Sequence, residues 1–157
     1  MALSGDGLVA VVAAELREVK RAWPGTAAIS SAIIDDGSPR NQYTGTWNSA
    51  PEARYFGGGC RYAEASGASV EATFQGTRVD WYGLKNRDLG KADVAVDGVV
   101  RATVDLYDGL RQNARLFSMG GLPSGQHSIK VTLTGLKNPS SSAAHVVHDY
   151  FVTYQDP

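Results

Sequence analysis

The stretch "VAVDGVVRATVDLYDG" (Val94–Gly109) carries three acids whose chemistry must be settled first. Asp97, Asp105 and Asp108 are either carboxylates for acid–base work or the turns and exposed face of a sheet. Asp97 precedes Gly98, a dipeptide suited to the left-handed backbone of a tight hairpin, so Asp97 belongs to a turn. Asp108 precedes Gly109 at the next turn. Side chains alternate along a strand, which predicts Val100, Ala102, Val104 and Leu106 on one face and Arg101, Thr103, Asp105 and Tyr107 on the other. Asp105 is then the acid on a strand face. With Arg101 beside it, an ion pair or a ligand-contacting surface is expected there rather than half of a proton-transfer pair.

The other reactive residue types read as structural. Cys60 is the sole cysteine, so no intramolecular disulfide forms, and "GGGCRYAEASG" places it as a small residue on a strand. His145 and His148 fall on opposite faces of a strand and cannot share one ion. His127, in "SGQHSIK", sits where a hairpin enters its strand. "GGGC" leads into strand-like sequence rather than a helix, which argues against a phosphate loop. A nucleophile elbow of the G-x-S-x-G type is absent from the sequence.

The elements that position these residues come from patterning. A chain of 157 residues is sized for one domain, and its 18 glycines suit short strands joined by tight turns. A net charge of −1 with no basic stripe excludes nucleic acid as the expected partner. The apolar run Leu8–Ala14 covers about a third of the ~20 residues that span a bilayer, so no membrane partner is expected. "MALSGDG" before it carries an acid and no base, unlike an export signal.

From Gly7 to Trp23 the spacing predicts a short amphipathic helix. Val9, Val12, Leu16, Val19 and Trp23 form its apolar stripe, Ser4 or Asp6 caps it, and Pro24-Gly25 ends it. So short a helix must bury that stripe on its own domain, on a copy of itself or on a larger assembly. Residues 1–31 therefore read as an anchoring or oligomerising helix and linker. Residues 32–157 read as an all-β, two-sheet antiparallel sandwich. "ASVEATFQGTRVDWYG" alternates Val70, Ala72 and Phe74, turns at Gln75-Gly76, and alternates again through Val79 and Trp81. "HSIKVTLTG" puts Ile129, Val131 and Leu133 on one face.

In order, "IIDDGSPRNQYTGTW", "YFGGGCRYAEASGASVEATFQGTRVDWYG", "GKADVAVDGVVRATVDLY", "LFSMGGLPSGQHSIKVTLTG" and "VVHDYFV" resemble the jelly-roll, galactose-binding-like carbohydrate-binding modules that bacteria append to glycoside hydrolases. The resemblance covers roughly Ile33 to Tyr154. It implies a domain that does no chemistry and holds sugar at rim loops or on a sheet face. It implies no organic cofactor. In many relatives a calcium ion is held by acids near the start of the domain and on its last strand, and Asp35 or Asp36 with Asp149 occupy the matching places. Sugar recognition needs aromatic faces with planar donors and acceptors. The exposed residues expected to supply them are Trp47, Arg54 and Tyr55, then Arg87 and Asp88, then Tyr107, Arg111 and Asn113.

A sandwich behind a leading helix is similar in layout to a phage virion protein that decorates a capsid or tail. On that reading the chain is a structural and adhesion protein, a dimer or trimer or part of a viral particle, that touches cell-surface glycans. A stand-alone sugar-binding module is the alternative, and an enzyme using Asp105 or Asp149 is the third.

Overall fold

The computed structural model describes residues 29–157. The proposed helix, with Val9, Val12, Leu16, Val19 and Trp23, lies outside the described residues. Eleven strands follow: β1 (Ser30–Asp35), β2 (Asn41–Thr44), β3 (Asn48–Pro51), β4 (Gly59–Ala63), β5 (Ser69–Gln75), β6 (Arg78–Lys85), β7 (Lys91–Val96), β8 (Val99–Asp105), β9 (Gln112–Met119), β10 (Gln126–Leu133) and β11 (Val146–Gln155). They make two antiparallel sheets. The first runs β3-β4-β11-β6-β9, with β1 also paired to β11, and the second runs β2-β5-β10-β7-β8.

The alternation in the sequence produces the core directly. Val70, Ala72 and Phe74 of β5, Ile129, Val131 and Leu133 of β10, and Ala92, Val94 and Val96 of β7 all bury on one face of the second sheet. They pack against Val79 and Trp81 of β6 and Phe151 of β11 in the first. Asp97 (φ 53°) and Gly98 (φ 80°) form the left-handed hairpin turn that the dipeptide predicts.

Strand β8 departs from the simple alternation. The β7–β8 register shifts between Val94 and Ala95, so Val100 lies opposite Ala95 and Ala102 opposite Val94. Arg101 is the extra residue of a bulge, which turns Val100 onto the other face from Ala102. Val100 is 58% exposed rather than buried. Asp105 also differs from expectation. Its Oδ1 accepts the Tyr107 N–H (3.0 Å) and its Oδ2 the Asn138 side-chain amide (3.0 Å), so it braces two loops instead of pairing with Arg101.

A buried imidazole joins β6 to β11. Trp81 Nε1 donates to His148 Nδ1 at 3.1 Å, and the His148 ring packs 4.6 Å from that of Phe151. Burial, with the Arg61 guanidinium nearby, pushes His148 down to about 3, so the ring is neutral and its Nδ1 lone pair faces the indole. Gly83, beside this pair on β6, has no room for a side chain: a Cβ there would meet the Val147 carbonyl. Replacing Trp81 by Phe strands the imidazole acceptor in the core. Denaturant unfolding should show a loss of about 2 kcal/mol from the unpaired group and a further cost for the lost ring volume; an unchanged midpoint would dismiss this bond as a stabilising contact.

Candidate functional site

Three carboxylates meet where β1 ends and β11 passes. Asp35 closes β1, Asp36 follows it, and Asp149 lies on β11 where the β6–β11 register shifts between His148 and Tyr150. One oxygen from each carboxylate lies within 4.8 Å of the others. Asp149 is 3% exposed, and its Oδ2 accepts the Phe56 N–H at 3.2 Å. Gly57 (φ 70°) presses the same loop onto Asp35, where a Cβ would stand 2.6 Å from Oδ2. Asp36 is steadied by Arg61 at 3.7 Å.

These acids are short of partners. Asp35 Oδ1 and Asp149 Oδ1 are buried without a hydrogen bond, as is the amide oxygen of Asn41, whose Nδ2 donates to the Asp35 carbonyl (2.7 Å). Burial raises Asp149 to about 7 and Asp35 to about 6, with the neighbouring carboxylates adding to both. A set of hard, buried oxygens lacking donors fits a divalent cation of the calcium type. Bound there, the cation would neutralise the mutual repulsion of Asp35, Asp36 and Asp149 and tie β1 to β11.

An open cleft of about 450 Å³ adjoins the cluster, with Asp149 in its wall. The loop between β3 and β4 lines one side with Arg54, Tyr55 and Phe56, and strands β6, β9 and β11 supply Tyr82, Asn113, Arg115 and Tyr150. Tyr150 pairs across to Tyr82, and Tyr82 to Arg115. A row therefore crosses three strands on the outer face of the first sheet. The Tyr82 and Tyr150 rings stand parallel, 4.7 Å apart, and Phe56 extends the row 5.2 Å beyond Tyr150. At the far end, Arg115 lies 3.7 Å from Asp80, whose carboxylate already accepts from Arg78 (2.9 and 3.1 Å) and the Ser118 hydroxyl (2.5 Å). The Arg115 side chain stays half exposed and lines the cleft.

The residues singled out in the sequence divide among three places. Arg54, Tyr55 and Asn113 line the cleft, and Arg111 braces it: its Nη2 donates to Glu52 (2.7 Å) and to the Tyr55 hydroxyl (3.3 Å). Asn113 Nδ2 donates to the Arg54 carbonyl at 2.8 Å, fixing the loop to β9. Tyr55 is 4% exposed, a correction to the expectation of an exposed aromatic: it packs with the core while also lining the cleft. Trp47 is half-buried against Tyr43 and donates to the Thr44 carbonyl, away from the cleft. Arg87, Asp88 and Tyr107 form a separate loop cluster. Arg87 Nε donates to the Gly109 carbonyl (2.7 Å), Asp88 lies 4.0 Å from His145, and Tyr107 bridges to Asn86. Phe56, Tyr82, Arg115 and Tyr150 were missed. The outward phase of Tyr82 and Tyr150, next to inward Trp81 and Phe151, was the available signal. Cys60 is buried, and burial pushes its thiol up to about 11, which keeps it inert.

The raised acids fix the sign of a pH dependence. Between about pH 4 and 7 the folded chain retains protons on Asp35 and Asp149 that the unfolded chain has released, so folding stability falls as pH rises through that window. Thermal melts in chelator should drop by on the order of 5 °C across it. A flat or rising profile would refute the burial of these charges.

No family model matches the chain. Over 98 residues, 62% of the chain, it is 39% identical to the A type blood N-acetyl-alpha-D-galactosamine deacetylase of Flavonifractor plautii. Over a stretch of the same length it is 35% identical to the A type blood alpha-D-galactosamine galactosaminidase of that organism. The chain spans 13% and 9% of the lengths of these two relatives. A family two carbohydrate esterase from Cellvibrio japonicus superposes with a TM-score of 0.59 at 19% identity, over 81% of this chain and 34% of that one. The CBM36-1 domain of a multidomain xylanase, from the hindgut metagenome of Trinervitermes trinervoides, superposes with a TM-score of 0.50 at 15% identity, over 78% of this chain and 95% of that domain. Residues 29–157 have a two-sheet jelly-roll β-sandwich fold, which they share with the carbohydrate esterase and the CBM36-1 domain.

Proposed function

We propose that the chain is a non-catalytic glycan-binding module whose ligand lies in the cleft beside the acid cluster. The cross-strand row Phe56–Tyr150–Tyr82–Arg115 carries this reading. It sets apolar ring surface beside a guanidinium fork, the combination that a sugar's hydrophobic face and hydroxyls require. Arg54 on the loop side and the Asn113 amide oxygen on β9 add a donor and an acceptor. Asp35, Asp36 and Asp149 hold a calcium ion that secures the loop bearing Arg54 to Phe56. The names of the two relatives make a glycan ending in N-acetylgalactosamine or galactosamine the first ligand to try. The chain's share of those relatives suits an accessory role in a larger glycan-active protein.

A second reading, assembly of several copies on a larger body such as a phage particle, draws on the apolar stripe from Val9 to Trp23. Multivalency would strengthen a weak sugar site without new contacts. A solution mass that falls to a monomer when residues 1–28 are deleted supports it; a monomeric full chain removes it.

Two measurements test the main reading. Millimolar calcium should raise the melting temperature at neutral pH, worth about 2.7 kcal/mol at a hundredfold excess over Kd, and Asp149→Asn should abolish the response. A wild-type chain indifferent to calcium removes the ion. Tyr82→Ala and Arg115→Ala should each weaken glycan binding roughly tenfold, about 1.4 kcal/mol, while the fold melts within a few degrees of the parent. Silence of the parent chain on a broad glycan array would end the proposal.

A further inference from the structure

His127 opens β10 with both ring nitrogens against oxygen. Nδ1 lies 2.6 Å from Asp97 Oδ2, in the β7–β8 turn, and Nε2 lies 2.6 Å from the carbonyl of Pro123, in the connection from β9 to β10. A carbonyl oxygen carries no hydrogen, and a carboxylate carries none near neutral pH. A neutral imidazole owns one N–H and so satisfies one of these two oxygens, setting its other lone pair against the second. The imidazolium, a donor at both nitrogens, satisfies both. We infer that His127 is a proton-operated clasp, closed when the ring is cationic, that ties the β7–β8 hairpin to the connection between the two sheets.

The surroundings hold the ring and its partner in place. Asp97 Oδ1 accepts the Ser128 N–H at 3.0 Å, and the Asp97 N–H donates to the Ser128 carbonyl at 3.0 Å, so the carboxylate cannot swing away independently of the turn. On β5, Phe74 sits opposite His127, with its uncharged ring 5.8 Å away. Arg101 of β8 acts on Asp97 from longer range and favours its ionised form. Among the described residues, Asp97 and Arg101 are the charged groups that act on the clasp from the elements packed around it. The Pro123 carbonyl and then the Asp97 carboxylate hold the imidazole above its ordinary range. The clasp's contribution is therefore complete below about pH 6.5 and is lost as pH rises through the higher folded value.

The clasp's place in the fold gives it consequence. It lies at the Arg78 end of β6, where Leu122 N–H bonds the Thr77 carbonyl and Ser124 accepts from the Gln155 amide. The cleft is at the other end of β6, around Gly83. The clasp and the glycan site are thus separate, and this inference does not rest on the glycan reading. The hairpin it holds presents Val99 and Val100, each more than half exposed, on a strand at the edge of its sheet. Losing the proton frees an apolar edge that acid conditions keep tethered.

An NMR titration of the full chain across about pH 5 to 9 reads this directly. The clasp requires His127 to titrate above 6.5, with the amides of Asp97, Gly98, Ser124 and Ser128 shifting at the same midpoint. After correction for intrinsic exchange, hydrogen exchange in the hairpin tip should rise several-fold on the alkaline side. Asp97→Asn keeps a residue tolerant of the left-handed turn and removes the charge; it should lower the His127 midpoint and abolish the linked shifts. A His127 that titrates at or below 6.5, or one that titrates higher while the hairpin amides and their exchange stay still, overturns the clasp.

Discussion

Strand alternation forbids two residues three apart from facing the same side, yet His148 and Phe151 of β11 both lie in the core. The bulge between His148 and Tyr150 resolves the conflict, and much of the site follows from it. One extra residue lets the imidazole reach Trp81 while Phe151 stays inward. That residue, Asp149, is thrown toward the end of β1 and meets Asp35 and Asp36. Beyond it Tyr150 points outward, in register with Tyr82 and then Arg115. A single irregularity in the longest strand thus sets core packing, acid cluster and cleft wall.

The buried acids show how this arrangement is balanced. Three carboxylates share a pocket with one arginine at 3.7 Å and one backbone donor, and two of their oxygens are left without partners. Unpaired buried charge is costly, and it persists only where something offsets it. Protonation offsets it in acid, and a cation bound there would offset it at neutral pH. Asp80 illustrates the opposite solution a few residues away. It is fully buried, but a bidentate arginine and a hydroxyl satisfy both of its oxygens, so it is a finished structural ion pair.

Much of this was legible in the residues. Alternation on β5, β7 and β10, the Asp97-Gly98 turn and the buried Trp81 all follow from local pattern, because each depends on period-two burial or on one dipeptide. Asp35, Asp36 and Asp149 came from the resemblance, and their convergence lies beyond any local rule. Bulges were the blind spot. The shift at Val94/Ala95 turned Val100 outward, and nothing in "VAVDGVVRATV" marks where an extra residue will be absorbed. Loop exposure failed too: Tyr55 is drawn into the core by the fold of its loop, and Trp47 folds back on Tyr43, while two of the cleft's three rings, Tyr82 and Tyr150, come from strands and only Phe56 from the loop.

The pairing of β1 with β11 has a mechanical side. Ser30 lies opposite Gln155 and Asp35 opposite Tyr150, so six rungs connect the first strand to the last. A load pulling those two ends apart acts on the outermost rung alone. The pair opens like a zipper, one rung after another, instead of shearing all at once. The final rung sits at the carboxylates, so a cation joining Asp35 to Asp149 would act as the stop at the bottom of that zipper. Under tension, the hold of the module would then depend on dissolved calcium.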